Sequence, residues 1–253
     1  PWGWRIPSLI SSVLVLLGLW IRKDNDETPE FKKVKSSGKV AKAPLRDTLK
    51  YHWREVLIAA GLKVVETAPF YIFSTFVVSY ATTTLSYQKS QALEAVTLGA
   101  LVATIMIPLM GLLSDKVGRQ RMYAVSVFTL GLFIVPWFML LNTGTTWGIV
   151  LATVIAFGVL WAPVTAVLGT LCSEIFTANV RYTGITLGYQ LGAALAGGTA
   201  PLIATGLLAK YNGDWVPVAW YLAVTVTISL IAIFFASRVK GAAPAINAQT
   251  NEL

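Results

Sequence analysis

Cysteine and histidine are almost missing from this chain: Cys172 and His52 are the single examples of each. One thiol excludes an internal disulfide framework or a cysteine-built metal site, and one imidazole excludes a histidine cluster or a Ser/His/Asp set. Charge is scarce as well. Only 13% of the 253 residues are charged while 55% are hydrophobic, a balance that soluble domains rarely show. No G-x-x-x-x-G-K-[ST] loop is present to cradle a nucleotide's phosphates, so we expect neither an enzyme nor a cofactor. Strand-period alternation and coiled-coil heptads are also absent, which removes the soluble β and fibrous classes.

What the chain has instead is a series of long apolar runs, over residues 6–21, 56–80, 91–113, 121–141, 147–171, 184–209 and 215–236. A helix needs roughly 20 apolar residues to cross a bilayer, and only helices or closed barrels satisfy their backbone there. The fold class is therefore all-α, a polytopic membrane helical bundle with seven spans. Residues 22–55 are the one hydrophilic insertion, ending in an expected amphipathic helix over 45–54. The chain opens Pro1-Trp-Gly-Trp-Arg5, without an initiator methionine or a signal-peptide layout, and we expect a preceding N-terminal part.

The net charge of +8 would suit nucleic acid in a soluble protein, yet ten of the twenty basic residues lie between Arg22 and Arg54. Juxtamembrane orientation explains them, so no nucleic-acid partner is expected; the partners are the lipid bilayer and small molecules. The loop 111–121 adds three cations, the turn 173–183 adds Arg181 and the end adds Arg238 and Lys240, against Arg5, Lys89 and Lys210 on the other face. This asymmetry puts the linker, that loop and the C-terminus in the cytoplasm.

Three stretches carry candidate chemistry. In Gly111-Leu-Leu-Ser-Asp115-Lys-Val-Gly118-Arg119-Gln-Arg121, two glycines allow a tight reversal, and Asp115 can pair with Arg119 or accept from a helix N-terminus. In Ser173-Glu174-Ile-Phe-Thr-Ala-Asn-Val-Arg181-Tyr-Thr-Gly184, Glu174 falls on the same face and can join that network, with Arg119 as a partner. Together they form a candidate cytoplasmic gate; the bland alternative is a loop that is basic for topology alone. The third stretch is Lys63-Val-Val-Glu66-Thr-Ala-Pro69-Phe-Tyr71, inside a span. Charges there are costly unless paired or wet, and the i, i+3 spacing puts Lys63 and Glu66 on one helix face. Glu66 is a candidate proton or substrate site, Lys63 an anion holder or tuner of that carboxylate, and the alternative is a buried structural pair. Tyr71, Tyr80, Trp161, Tyr189 and Gln190 are further candidates to line a passage, or else packing aromatics and interface anchors. Small residues at Gly184, Gly188, Gly192 and Ala196 read as a close, sliding helix contact.

The G-x-L-x-D-x-x-G-R-x-R pattern of residues 111–121 resembles the loop signature of the major facilitator superfamily, with Gln120 where that family more often has a cation. Residues 173–184 resemble its S/P-E-x-F-P-x-x-x-R-x-x-G turn, with Thr177 or Ala178 in place of the proline. Gly3-Trp4-Arg5-Ile6-Pro7, Lys63…Glu66-x-Ala-Pro69-x-Tyr71-Ile and Gly197-Gly198-Thr-Ala-Pro201 are similar to the metabolite:proton symporters, the branch of shikimate, α-ketoglutarate, citrate and proline/betaine carriers. That resemblance implies the C-terminal six-helix half of a facilitator fold plus one preceding helix: 1–21 the last helix of a missing N-terminal half, 22–55 the cytoplasmic central linker, 56–237 the bundle and 238–253 a cytoplasmic tail. It also implies import of a small organic acid or zwitterion with protons, by alternating access, across a bacterial inner membrane. A facilitator-like osmosensor or a passive uniporter is the competing reading.

Overall fold

The computed structural model describes residues 5–24, 44–177 and 180–238. Much of the expected linker, the chain's opening residues and most of the expected tail lie outside them. Contacts divide the chain into residues 1–41 and 42–253. The described part of the first unit is one helix, α1 (Arg5–Asp24), with an apolar stretch over Leu9–Ile21.

The second unit begins with the short α2 (Pro44–Tyr51). Six helices long and apolar enough to cross a membrane follow: α3 (Trp53–Thr83), α4 (Lys89–Val117), α5 (Arg119–Leu141), α6 (Thr146–Ile175), α7 (Arg181–Lys210) and α8 (Val216–Ala236). The result is an all-α bundle of the polytopic membrane kind, without strands among the described residues. The amphipathic segment expected over 45–54 is shorter than its sequence pattern. His52, at φ −124 and ψ 22, interrupts the helix, and α3 starts at the next residue.

The expected loop 111–121 is also different. Helix α4 runs on to Val117 and α5 starts at Arg119, so the reversal is Gly118 alone, at φ +95. One residue in the left-handed region suffices to turn the chain, and only glycine adopts it without a Cβ clash. Gly111 is an ordinary helical position with open space around it.

Helix α3 is the spine, with α7 and α8 laid against it. The approach is close because glycines face it. A methyl on Gly188 would fall 2.5 Å from Ala59 Cβ, one on Gly192 2.6 Å from the Ala60 carbonyl oxygen, and one on Gly61 2.8 Å from Ala232 Cβ. Across the last contact, the Ser229 hydroxyl donates to the Gly61 carbonyl (2.6 Å) and accepts from the Val65 N–H (3.1 Å). The small-residue stripe of α7 is buried at all four expected positions, Gly184, Gly188, Gly192 and Ala196. A π-helical turn over Ala193–Gly197 adds Gly197 to the buried face, where it lies against Thr67 and Tyr71. Similar π turns occupy Ile72–Phe76 of α3 and Val154–Leu160 of α6. Each π turn lies about one turn from a proline (Pro69, Pro163, Pro201), a residue that cannot donate to the helical ladder.

Candidate functional site

Lys63 and Glu66 lie about 15 and 20 Å along α3 from its start, at 1.5 Å per residue. Their spacing brings Lys63 Nζ to 2.5 Å from Glu66 Oε2, with the side chains 18% and 14% exposed. A carboxylate shielded this far needs further donors, and two threonines supply them. Thr165 Oγ1 of α6 is 3.3 Å from Glu66 Oε1. Thr67 Oγ1 is 2.9 Å from Glu66 Oε2 and 3.0 Å from the Lys63 carbonyl oxygen, so its one proton serves one acceptor at a time. On the other side, Lys63 Nζ stands 4.8 Å from the centre of the Tyr189 ring, a cation–π contact from α7. The Trp161 indole N–H donates to the Glu66 backbone carbonyl at 2.7 Å, tying α6 to α3 one turn before Pro69. Phe70, Phe157 and Trp161 pack mutually at 5.2–5.6 Å beside this cluster.

Trp161 and the Lys63–Glu66 pair are thus assembled from separate helices. Tyr71 is adjacent, edge-on to Phe70 at 5.4 Å and 37% exposed. Gln190 is not part of the cluster: it is exposed, and the residue before it, Tyr189, makes the contact with Lys63. Gly188 and Gly192 turn the intervening face of α7 onto α3, which carries Gln190 away. Tyr80 is not part of the cluster either, being buried with its hydroxyl accepting from Asn142 Nδ2 at 3.1 Å. The sequence reading missed Thr67 and Thr165. Thr165 is four residues beyond Trp161, so one helix face presents both, and that spacing was its signal.

A second cluster sits at the α4–α5 turn. Arg119 donates to Asp115 Oδ1 at 3.1 Å and, through its other terminal nitrogen, to Glu174 Oε1 at the end of α6. One guanidinium fork therefore bridges three helix ends, as its planar donor set allows. Asp115 takes this bond from Arg119, not from a helix N-terminus. Ser114, one residue earlier, donates to the Gly111 carbonyl at 2.6 Å. Asp115, Arg119, Gln120, Arg121 and Glu174 line a cleft of about 460 Å3. Arg121 is exposed there with no acidic partner among the described residues. Arg181 Nε donates to the Phe176 carbonyl at 3.4 Å, across its own turn.

The Major Facilitator Superfamily model matches residues 1–197 and 70–251 of this chain. The chain belongs to the Major Facilitator Superfamily. Its curated relatives include the shikimate transporter of Escherichia coli (strain K12), 32% identical over 90% of this chain and 52% of the relative. The inner membrane metabolite transport protein YhjE of the same strain is 30% identical, over 92% of this chain and 53% of its own length. The glycine betaine/proline/ectoine/pipecolic acid transporter OusA of Dickeya dadantii (strain 3937) is 27% identical, over 96% and 51%. This facilitator chain spans about half the length of the curated relatives it matches. No solved structure matches it. With six helices of membrane-crossing length, it is a multi-pass membrane protein.

Proposed function

We propose that this facilitator chain works beside a second six-helix half as a secondary transporter. The cargo is a small polar metabolite, an organic acid or a zwitterion, carried with protons across a bacterial inner membrane by alternating access. The observation that carries this reading is the Lys63–Glu66 pair, shielded inside a span and faced by Thr67, Thr165 and Tyr189 from three helices. An ionisable pair at that depth offers a carboxylate for a proton and an ammonium for a substrate's carboxylate. Protonation of Glu66 frees Lys63 from its partner, which couples the two events. Relatives named as carriers of shikimate and of betaines support both cargo classes.

In the same reading, Arg119 with Asp115 and Glu174 is the cytoplasmic gate, held while the ends of α4, α5 and α6 are together. Residues 22–55 are the central linker between the halves, and residues 238–253 a cytoplasmic tail. The test is uptake of radiolabelled shikimate, proline and betaine by cells expressing the protein, with and without a protonophore. Glu66→Gln is expected to abolish accumulation while leaving exchange or binding in part. Undiminished, protonophore-sensitive accumulation by that variant rejects Glu66 as the coupling group.

A further inference from the structure

A cleft of about 440 Å3 lies away from both clusters, lined by Trp53, Arg54, Leu57 and Ile58 of α3 and by Phe235 and Arg238 at the end of α8. Each of its arginines lies against an aromatic ring: Arg54 Cζ is 5.3 Å from the Trp53 ring centre and Arg238 Cζ 4.2 Å from that of Phe234. Ring contact leaves the N–H donors of both guanidiniums for an outside acceptor. Among the described residues neither arginine has a carboxylate within ion-pair distance, and neither side chain donates a hydrogen bond to protein. Two like charges therefore line one cleft with no protein carboxylate paired to either among the described residues, and an anion seated there would meet both guanidiniums.

The rest of the wall is apolar, with Leu57 57% and Phe235 50% exposed on membrane-crossing helices. Helix α2, just before Trp53, likewise leaves Leu45, Leu49 and Tyr51 exposed next to the exposed cations Arg46 and Lys50. Apolar and basic groups side by side on a short helix are the pattern of a segment lying in the headgroup layer. We propose that this cleft binds the headgroup of an anionic phospholipid, both guanidiniums on its phosphate oxygens and the acyl chains along Leu57 and Phe235. The apolar wall is what selects a lipid over a free phosphate, and basic pockets between spanning helices are suited to such headgroups.

The full chain, placed in nanodiscs of phosphatidylcholine with or without phosphatidylglycerol, provides the test, read as retained lipid by native mass spectrometry and as thermal midpoint. The wild type is expected to retain phosphatidylglycerol over phosphatidylcholine and to gain stability from it. Arg54→Gln with Arg238→Gln should lower that retention roughly thirty-fold, the worth of two guanidiniums beside an anionic surface. Lys210→Gln, an exposed cation at the far end of α7, should leave it unchanged. If the double variant does not fold, either single variant should still lower retention roughly five-fold. Equal retention by the arginine variants, an equal loss on Lys210→Gln, or displacement of the lipid by inorganic phosphate would each overturn the proposal.

Discussion

Lys63 and Glu66 are held by a mutual contact that neither can replace, and this makes their single and double substitutions behave differently. Lys63→Ala leaves a shielded carboxylate with only the two threonine hydroxyls as partners. The expected cost is about 3 kcal/mol, the lower end for an orphaned buried charge because both side chains keep some exposure. Lys63→Met with Glu66→Leu removes both charges and should stay within about 1 kcal/mol of the wild type. Thermal or chemical unfolding in detergent measures both; a double variant no better than the single one would mean that packing, not charge, dominates. Of this site the sequence showed the pair itself, since two charges in an apolar run stand out. Thr165 did not stand out, because a hydroxyl in a span is unremarkable until the fold brings it 3.3 Å from a carboxylate 99 positions away. Gln190 is the opposite case, a polar residue that stood out in the sequence and that the rotation of α7 leaves exposed, outside the cluster.

At the scale of the element, the contact between α3 and α7 is set by glycines whose role is to be small. Gly192→Ala puts a methyl 2.6 Å from the Ala60 carbonyl oxygen and 2.7 Å from Lys63 Cβ, where backbone must move. A loss of about 1–3 kcal/mol is expected. Gly206→Ala, on the same helix with nothing within 4 Å, should be neutral or stabilising by up to about 1 kcal/mol. Comparing thermal midpoints of the two variants in one detergent checks this, and equal shifts would contradict it. The stripe was legible through Ala196. The π turn that also buries Gly197 was not, and no count of residues in steps of four reveals it, because a π turn depends on how the helix meets its neighbours. The α4–α5 turn shows the same limit: the sequence pattern marked eleven residues, whereas the backbone needed one, Gly118.

For the whole molecule the open quantity is orientation, and the native thiol makes it measurable. Cys172 is buried, so thiols introduced one at a time report their own side of the membrane. With the C-terminus cytoplasmic, as proposed, Thr143→Cys, at an exposed position in the α5–α6 turn, should react with an impermeant reagent on intact cells. Gln120→Cys should react only after permeabilisation; the reverse pattern would invert the proposed topology. By itself the sequence determined the all-α class, six of the seven expected spans and the bias of basic residues, because membrane-length apolar runs and their charged flanks are local properties of the chain; the run over residues 6–21 gives a helix whose apolar stretch, Leu9–Ile21, is shorter than a span. Only the tertiary structure decided which helices meet. It joined Glu66 to Thr165 and Trp161, Lys63 to Tyr189, and Arg119 to both Asp115 and Glu174. Such contacts depend on the rotation and depth of each helix against the next, set by glycine approach and π turns, and apolar periodicity is too uniform in a membrane span to encode them.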